Sequence, residues 1–321
     1  MPTPQEPIDS PFGHRSTAAE VAAGIDLAGK NILVTGGYSG LGTETVRALA
    51  GAGAHVLVGA RRPDAAHKVL DEMAGQISIL PLDLSDPASI DTFCEKVAAK
   101  WGRIDILIAN AAIMASPLMR DARGYEMQFA TNHLGHFQMT ARLWPLLKAA
   151  DGARVVILSS VGHRLGGLDL DDPNWEAREY AKWPAYGATK SANALFALQL
   201  DALGESHGVR AFAVHPGGIV TPLQRHLTHE EQVAMGWFDD DGNVHESFKS
   251  VEEGAATSVW CAVSPLLDGK GGVYCEDCNI GAMADENTPR GAGVAPHIRD
   301  TQLAQDLWTK SEQLTGVSFP G

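Results

Sequence analysis

The strongest constraint on the fold is a regular alternation of short apolar runs with helical segments along most of the chain. Seven runs are predicted to be strands: "NILVTGG", "HVLVGAR", "ISILPLD", "IDILIANAA", "ARVVILSS", "VRAFAVHPGG" and "GGVYCED". Most are apolar without alternation, which is typical of a parallel sheet covered on both faces. The pattern predicts an α/β fold: a single doubly wound, Rossmann-type domain with a parallel sheet of about seven strands and helices on both faces.

The predicted domain carries an addition at each end and two insertions. Residues 1–28 form an N-terminal arm, residues 29–280 the Rossmann-type domain, and residues 281–321 a C-terminal extension with one predicted helix. The insertions lie near 161–185 and 222–250, each after the carboxyl end of a strand. Ligands bind at that edge of open α/β sheets, so the insertions are expected to form the walls and lid of a pocket.

Charge and composition argue against several classes of protein. A formal net charge of −14 at pH 7 argues against nucleic acid or an anionic membrane as a partner. The N-terminus has no signal-peptide core, and no window reaches the roughly 18 apolar residues of a membrane span. A soluble, cytoplasmic protein is expected.

The cysteines predict neither a disulfide framework nor a metal site. Four cysteines are too sparse for a disulfide scaffold in a chain of 321 residues. Cys275 and Cys278 form a CxxC pair, but no second CxxC or paired histidine cluster accompanies it. We therefore interpret the pair as two incidental thiols of a strand.

A glycine-rich turn follows the first predicted strand. "TGGYSGLG" places Gly36, Gly40 and Gly42 where this strand meets the first helix. Glycines there permit a tight turn and let the backbone approach a pyrophosphate, whose charge the helix N-terminus favours. Such a turn can also be purely structural, but its place in an alternating chain favours a dinucleotide site.

Tyr186 and Lys190 stand four residues apart in a helix predicted from Trp183 to Leu203. Side chains at this spacing share one helix face, so the ammonium would lie beside the phenol and lower its pKa from about 10. The spacing also arises by accident, but no other tyrosine of the chain has lysine four residues later. Because the pair also follows the fifth strand and a serine pair, we interpret it as an acid–base catalyst.

Several motifs in this order resemble the short-chain dehydrogenase/reductase family, over roughly Gly29 to Asn279. They include the glycine spacing TGxxxGxG and the YxxxK pair. The stretches "ATNHLGHF", "RVVILSSVGHR" and "VHPGGIVTPL" are similar to the branch that contains retinol dehydrogenases and WW-domain oxidoreductases. The resemblance implies a nicotinamide cofactor and exchange of a carbonyl with an alcohol.

By this resemblance, Tyr186 exchanges a proton with the substrate oxygen, and Lys190 lowers its pKa and binds the nicotinamide ribose. Ser160, second of the serine pair, polarises the carbonyl. Asn132, in "ATNHLG", holds a water that relays protons through the lysine. The residues support this chemistry independently, because hydride addition builds negative charge on oxygen, which a hydroxyl and a phenol stabilise.

The choice of cofactor depends on the end of the second strand, "VLVGARRPD". A carboxylate there binds the ribose 2′-hydroxyl of NAD, whereas arginine suits the 2′-phosphate of NADP. This chain has Ala60 in place of the acid, then Arg61 and Arg62. NADP(H) is therefore predicted, with Arg61 as the main contact, unless both arginines form a solvated helix start.

The resemblance implies further cofactor contacts along the carboxyl edge of the sheet. Asp83 would meet the adenine, Asn110 would steady the central sheet, and "HPGGIVT" would cradle the nicotinamide. Where the family commonly has NAG, this chain has "NAA". The full set of implied contacts is Gly36, Tyr38, Ser39, Gly40, Leu41, Gly42, Arg61, Asp83, Leu84, Asn110, Tyr186, Lys190, Pro216, Gly217, Ile219 and Thr221.

The histidines are predicted to have mainly structural roles. His215 precedes Pro216 at a strand end and is expected to be structural. His163, three residues after Ser160, could line the substrate pocket or support the fold. His133 and His136 lack ligand partners of the HExxH kind and are predicted to be packing residues.

The leading hypothesis is an NADP(H)-dependent oxidoreductase that acts on a small-molecule carbonyl or alcohol, with reduction expected. Apolar residues in the two insertions, among them Leu165, Trp183 and Trp237, favour a bulky, fairly apolar substrate, unless they only anchor the loops. Two alternatives stay open: an NADPH-binding regulator without turnover, and an epimerase or dehydratase of the same family. A homodimer and a monomer are both compatible with the sequence.

Overall fold

The computed structural model describes residues 3–239 and 241–320. Met1, Pro2, Asp240 and Gly321, which belong to the predicted arm, second insertion and extension, lie outside the described residues. The strands are β1 (Asn31–Thr35), β2 (His55–Ala60), β3 (Gln76–Pro81), β4 (Ile106–Ala109), β5 (Arg154–Leu158), β6 (Arg210–His215), β7 (Val273–Glu276) and β8 (Asn279–Ile280).

The strands form one sheet in the order β3-β2-β1-β4-β5-β6-β7-β8. The seven predicted strands are confirmed, and all their pairings are parallel. The eighth strand pairs antiparallel with β7 across a tight turn, where Asp277 and Cys278 have φ of 51° and 55°. Sequence analysis missed this hairpin because two non-glycine residues adopt the left-handed conformation that Asn-Gly or Asp-Gly turns usually signal.

Helices cover both faces of the sheet, as predicted for a Rossmann-type fold. On β1, Ile32 and Val34 belong to one apolar cluster, and Leu33 belongs to the cluster on the opposite face. The helices are α1 (Ala18–Ala22), α2 (Leu41–Gly51), α3 (Pro63–Leu70), α4 (Pro87–Lys100), α5 (Met127–Phe129), α6 (Gly135–Lys148), α7 (Lys182–Gly204), α8 (His229–Ala234), α9 (Val251–Val263) and α10 (Thr301–Thr315). No helix of the described ranges combines the length and apolarity that a bilayer span requires.

The N-terminal arm is fastened to the last two strands. The Gln5 side-chain amide donates to the carbonyls of Tyr274 and Gly281, at 2.8 and 2.7 Å, and accepts from the Tyr274 amide at 2.9 Å. Farther along, Thr17 caps α1 in a reciprocal capping box with Glu20. The arm therefore covers the edge of the sheet with backbone-like hydrogen bonds.

The C-terminal extension ends in α10, which packs against α7. Ala304 and Leu307 of α10 join the buried cluster that contains Leu195 of α7. The hydroxyl of Ser311 lies 2.8 Å from Nε2 of the buried His133. Helix α10 thus covers part of the long-helix face.

Helix α7 is also held at its C-terminal half. Both carboxylate oxygens of Asp201 accept from Arg210 on β6 at 2.8 Å, and Oδ1 accepts from the amide of Ala211 at 2.9 Å. This buried pair locks the helix against β6, with the helix N-terminal half at the carboxyl edge of the sheet. Tyr186 and Lys190 lie in that half.

Candidate active site

The candidate site is built where the first turns of α7 meet the end of β5. The Ser160 hydroxyl accepts from the amide of Gly162 at 3.0 Å, and its interaction with the Tyr186 phenol lowers the pKa of that phenol. Tyr186 and Lys190 are buried, with 5% and 3% of their surface exposed. The structure thus brings together the serine, tyrosine and lysine that the sequence selected.

Two glycines make this close approach possible. A Cβ on Gly162 would lie 2.9 Å from Cε1 of Tyr186, and a Cβ on Gly187 would lie 2.7 Å from the Gly162 carbonyl oxygen. Contacts this short with backbone or a packed ring leave no room for a side chain. Sequence analysis did not single out either glycine, because a glycine needed for packing has no spacing signature of its own.

Burial sets the protonation of the phenol. It raises the pKa of Tyr186 to about 12, although the hydrogen bond with Ser160 acts in the opposite direction. This is the reverse of the lowering by Lys190 that the sequence led us to expect. The Lys190 Nζ lies 5.5 Å from the centre of the tyrosine ring and donates instead to the Leu158 carbonyl at 2.9 Å.

The Lys190 ammonium donates to the backbone carbonyl of Leu158, and no ion pair with an acidic side chain is found in the described ranges. Burial lowers the pKa of its ammonium to about 7, because no solvent compensates the charge. The hydroxyl of Ser159 donates to the Lys190 carbonyl at 2.7 Å, so the first serine of the pair supports the helix. The second serine, Ser160, is the one that faces Tyr186.

Asn132 lies in a π-helical turn, Ala130–Leu134, between α5 and α6. Its side chain is fully buried and exchanges two hydrogen bonds of 2.9 Å with the backbone of Ile113. The same amide donates to Thr189 of α7 at 3.1 Å. Isolated π-turns inside helices occur frequently at functional sites. Asn132 therefore links the loop after β4 to the helix that carries Tyr186 and Lys190.

His136 connects Asn132 to the glycine-rich turn. Thr35 Oγ1 accepts from the amides of Asn110 and Ala111, at 3.0 and 2.9 Å, so its own proton is left for His136 Nε2 at 2.9 Å. Nδ1 of His136 then donates to the Asn132 carbonyl at 3.0 Å. His136 was predicted to be a packing residue, and it also orders this network.

The glycine-rich turn is shaped by close protein contacts. Gly36 and Gly40 have φ of 65° and 53°, which favours glycine. A Cβ on Gly42 would lie 2.4 Å from the Gly36 carbonyl and 2.7 Å from Nδ2 of Asn110, which donates to the Thr35 carbonyl at 2.8 Å. The bare backbone of the turn, at the start of α2, is the cradle expected for a pyrophosphate.

Three arginines lie within electrostatic range of one another near the end of β2. Arg61 and Arg62 are exposed after the strand, and Arg225 comes from the second insertion. Burial lowers the pKa of Arg225, and the positive charges of Arg61 and Arg62 lower it further, whereas nearby Tyr38 raises it. None of the three arginines pairs with a carboxylate in the described part of the chain.

Arg225 was missed by sequence analysis because no motif spacing connects an insertion after β6 to the end of β2. Its approach follows from Thr221, the residue just before the insertion. A Cβ on Gly40 would lie 3.2 Å from Cβ of Thr221, so the insertion begins directly on the glycine-rich turn. The second insertion therefore borders both the glycine-rich turn and the cluster around Tyr186.

The remaining predicted cofactor positions line the same edge. Asp83 accepts from Ser85 through Oδ1 at 2.6 Å, while Leu84 packs its carbonyl against Gly135. Gly217 has φ of 100° and lies against the side chain of Lys249. Of the other predicted contacts, Ser39 is exposed, Leu41 and Pro216 are half-buried, and Ile219 is buried.

An apolar surface surrounds Tyr186. Met114 and Leu227 form a buried cluster with Tyr186, and Trp183 and Trp237 pack against it. The two tryptophan rings cross edge-to-face, with centres 6.1 Å apart. Residues from both insertions and from the start of α7 thus converge on the phenol.

Other apolar residues of the insertions anchor loops instead. Trp175 packs under the guanidinium of Arg178, 3.9 Å from the ring centre, and Leu168 packs beside the C-terminal helix. An ion pair between Lys182 and Glu231 ties the second insertion to the start of α7. The anchoring role is therefore confirmed for this subset, and the preference for an apolar substrate stays a prediction for the residues around Tyr186.

The four cysteines, Cys94, Cys261, Cys275 and Cys278, are free and buried. Burial raises the pKa of Cys94 and Cys278 to about 12, which disfavours the reactive thiolate. Within the described ranges, no group of His, Cys, Asp or Glu side chains has the arrangement of a metal site.

The fold and this edge define a Rossmann-type protein of the oxidoreductase class. A family model for short chain dehydrogenases matches residues 30–232, more than half of the chain. The chain therefore belongs to the short-chain dehydrogenase family, as the motifs suggested.

Relatives agree with this assignment. The chain is 44% identical over 292 residues to a "Probable oxidoreductase" of Streptomyces lividans, covering 88% of this chain and 97% of the relative. It is 35% identical over 301 residues to human "Retinol dehydrogenase 12", covering 92% of this chain and 89% of that relative. It is also similar to the crystal structure of an uncharacterized Mycobacterium paratuberculosis protein, with a TM-score of 0.73 and 32% identity. This match covers 94% of this chain and 98% of that chain.

The pKa of Lys190 offers a test of the site that needs no substrate. We expect the Lys190 ammonium to titrate with a midpoint near 7, because burial without a carboxylate partner disfavours the charge. Carbon-13 NMR of the lysine Cε resonances measures this midpoint, and Lys190→Met identifies the resonance by deleting it. A midpoint near the ordinary lysine value of about 10.4 would contradict the described burial.

Proposed function

We propose that this protein is an NADP(H)-dependent oxidoreductase that interconverts a carbonyl and an alcohol, acting in the direction of reduction. The observation that carries the proposal is the buried cluster of Ser160, Tyr186 and Lys190, which packs around Gly162 at the edge where the glycine-rich turn also lies. Family membership makes a nicotinamide cofactor the expected partner of this site.

The proton chemistry follows from the side chains. With its pKa raised to about 12, the Tyr186 phenol is protonated at neutral pH and can donate to a developing alkoxide. Ser160 accepts from the Gly162 amide, which leaves its own proton for the substrate oxygen. Two donors then converge on the atom where negative charge builds.

Lys190 and Asn132 support the tyrosine. The Lys190 ammonium, near the tyrosine ring, would stabilise the negative charge that builds on the phenol oxygen as its proton leaves. Asn132 joins the loop after β4 to α7 through Ile113 and Thr189, which fixes the helix that carries both catalytic groups. Its matched role in proton relay stays a prediction.

The chain's own residues fit a dinucleotide. The bare backbone of Gly36 and Gly40 would hold the pyrophosphate, and Gly217 and Thr221 would flank the nicotinamide. The bound nicotinamide supplies or accepts the hydride. The apolar cover of Trp183 and Trp237 would exclude water from the reacting carbon.

Preference for NADP is supported by charge. Arg61, Arg62 and Arg225 lie within electrostatic range of one another without a described carboxylate partner, so their summed positive charge would attract an anion. A 2′-phosphate at the end of β2 would supply that anion, and arginine binds phosphate in a bidentate manner. The arginine cluster thus favours NADP over NAD.

Substrate class follows from the surface around the phenol. Met114 and Leu227 pack with Tyr186, and the two tryptophans pack against that cluster, so a carbonyl that reaches the phenol would meet apolar and aromatic atoms. Such a surface favours a bulky, apolar ketone or aldehyde over a sugar, because polar hydroxyls would lose their hydration there.

The arginine cluster predicts a measurable cofactor preference. Arg61→Ala and Arg225→Ala should each weaken NADPH binding about 10-fold or more, because each removes a charge-assisted hydrogen bond. Neither change should alter NADH binding. Fluorescence titration with both nucleotides measures the dissociation constants, and Arg47→Ala is the control, since Arg47 pairs with Glu44 on the surface of α2. Equal affinity for NADH and NADPH in the unaltered protein would refute the preference.

The role of the phenol has its own test. A screen of bulky aryl and alicyclic ketones and aldehydes with NADPH would select a substrate. With that substrate, Tyr186→Phe should lower kcat by about 10²- to 10⁴-fold, the usual loss for a positioned general acid, with NADPH affinity unchanged. Tyr180→Phe is a matched control, because that phenol is bonded to Gln128 and Glu126 away from Ser160. A Tyr186→Phe variant that keeps its full kcat would exclude Tyr186 as the proton donor.

A further inference from the structure

Residues 289–297 of the C-terminal extension, here called the strap, are bonded to the two turns that follow β5 and β6. Two buried histidines make the connection: His163 lies after Ser160, and His215 ends β6. Both side chains use both ring nitrogens, so neither histidine offers a free nitrogen to a substrate. The hydrogen bonds on each ring define its tautomer and the direction of the connection.

His163 joins the strap to the catalytic serine. The Ala295 amide donates to Nε2 of His163 at 3.1 Å, so this nitrogen carries no proton. The proton is therefore on Nδ1, which donates to the Ser160 carbonyl at 2.7 Å. Burial lowers the pKa of His163 to about 4, which keeps this neutral form at pH 7. One backbone amide of the extension thus determines how the ring holds Ser160.

His215 makes the opposite arrangement on the neighbouring turn. Its Nδ1 accepts from the amides of Val161 and Gly217, at 3.2 and 3.4 Å, and is therefore unprotonated. Its Nε2 then donates to the Gly291 carbonyl at 3.1 Å. The His215 ring therefore bonds to Val161 in the turn after Ser160, to Gly217, which is predicted to flank the nicotinamide, and to Gly291 of the strap.

Further bonds hold the strap in this place. Arg164 donates to the carbonyls of Pro289 and Ala292, and the Glu276 carboxylate accepts from the Gly293 amide at 3.0 Å. His297 lies 2.9 Å from the hydroxyl of Ser191, the residue after Lys190. The strap therefore contacts elements that carry Ser160, Lys190 and Gly217.

We infer that the strap is a positioning element of the active site: it sets the orientation of Ser160 through His163 and of the Gly217 turn through His215. This inference rests on the proposed function for the catalytic role of Ser160. The extension then contributes to turnover through the placement of these two turns rather than through contact with the reacting atoms. His163 and His215 are positioning residues rather than catalytic ones.

Ala295→Pro removes only the hydrogen bond between the strap and His163. Proline removes the amide that His163 accepts, and Ala295 already has φ of −73° and ψ of 143°, which proline can adopt. The preceding Val294 pairs with Met283 in a bridge, and proline favours extended backbone before it. Ala295→Gly is the control, because it keeps the amide and loses only the methyl group.

Two measurements separate positioning from general stability. Loss of one hydrogen bond should speed amide exchange at Val161 and Gly162 about fivefold in Ala295→Pro, with no change in the central strands or in Tm. With the substrate from the screen, kcat should fall by about the same factor while the Kd of NADPH stays constant. Ala295→Gly should behave as the unaltered protein in both measurements.

The outcomes distinguish the strap from the proposed function. If Ala295→Pro leaves both exchange and kcat unchanged, or raises exchange throughout the sheet, the positioning role is wrong. If Ser160→Ala keeps full kcat, the proposed role of the serine is wrong, and the exchange data still decide the strap. If Ala295→Pro does not fold, His163→Asn is read in the same way, since its shorter side chain ends short of Ala295.

Discussion

The structure depends on one close approach: the first turns of α7 lie against the turn after β5 with no side chain between them. Gly162 and Gly187 allow the approach, and it buries a phenol and an ammonium next to a serine hydroxyl. Burying an ammonium without an acidic partner is unfavourable, so its pKa falls and carbonyl oxygens must accept its protons. The Leu158 carbonyl does so, which ties Lys190 to the end of β5.

The rest of the chain maintains this approach from three sides. Asp201 and Arg210 hold the far half of α7 on β6, and Asn132 holds its near half to the loop after β4. The second insertion closes over the phenol with Trp237 and is tied to α7 through Glu231. The strap completes the arrangement from the C-terminal side. Each of these contacts limits how far Ser160, Tyr186 and Lys190 can move relative to one another.

The sequence predicted the sheet, the order of its elements and the family, because buried parallel strands and the glycine and YxxxK motifs are local patterns. It did not predict contacts between residues that are far apart in the chain. The charge of Arg61 acts on Arg225 of the second insertion, and the Ala295 amide bonds to His163 across 132 positions of chain. The direction of the Tyr186 pKa shift was wrong for a related reason: helix spacing shows which side chains are near, whereas burial depends on every element packed around them.

The central claim is that Tyr186 and its neighbours serve hydride transfer to a carbonyl. The most direct measurement follows deuterium from the C4 position of labelled NADPH during turnover of the screened substrate. We expect the label on the carbinol carbon of the alcohol, with one oxidised nucleotide formed for each alcohol. Tight NADPH binding with no label transferred to any carbonyl would exclude hydride transfer and indicate a regulator. Conversion of substrate with no net nucleotide oxidation would instead indicate an epimerase or dehydratase.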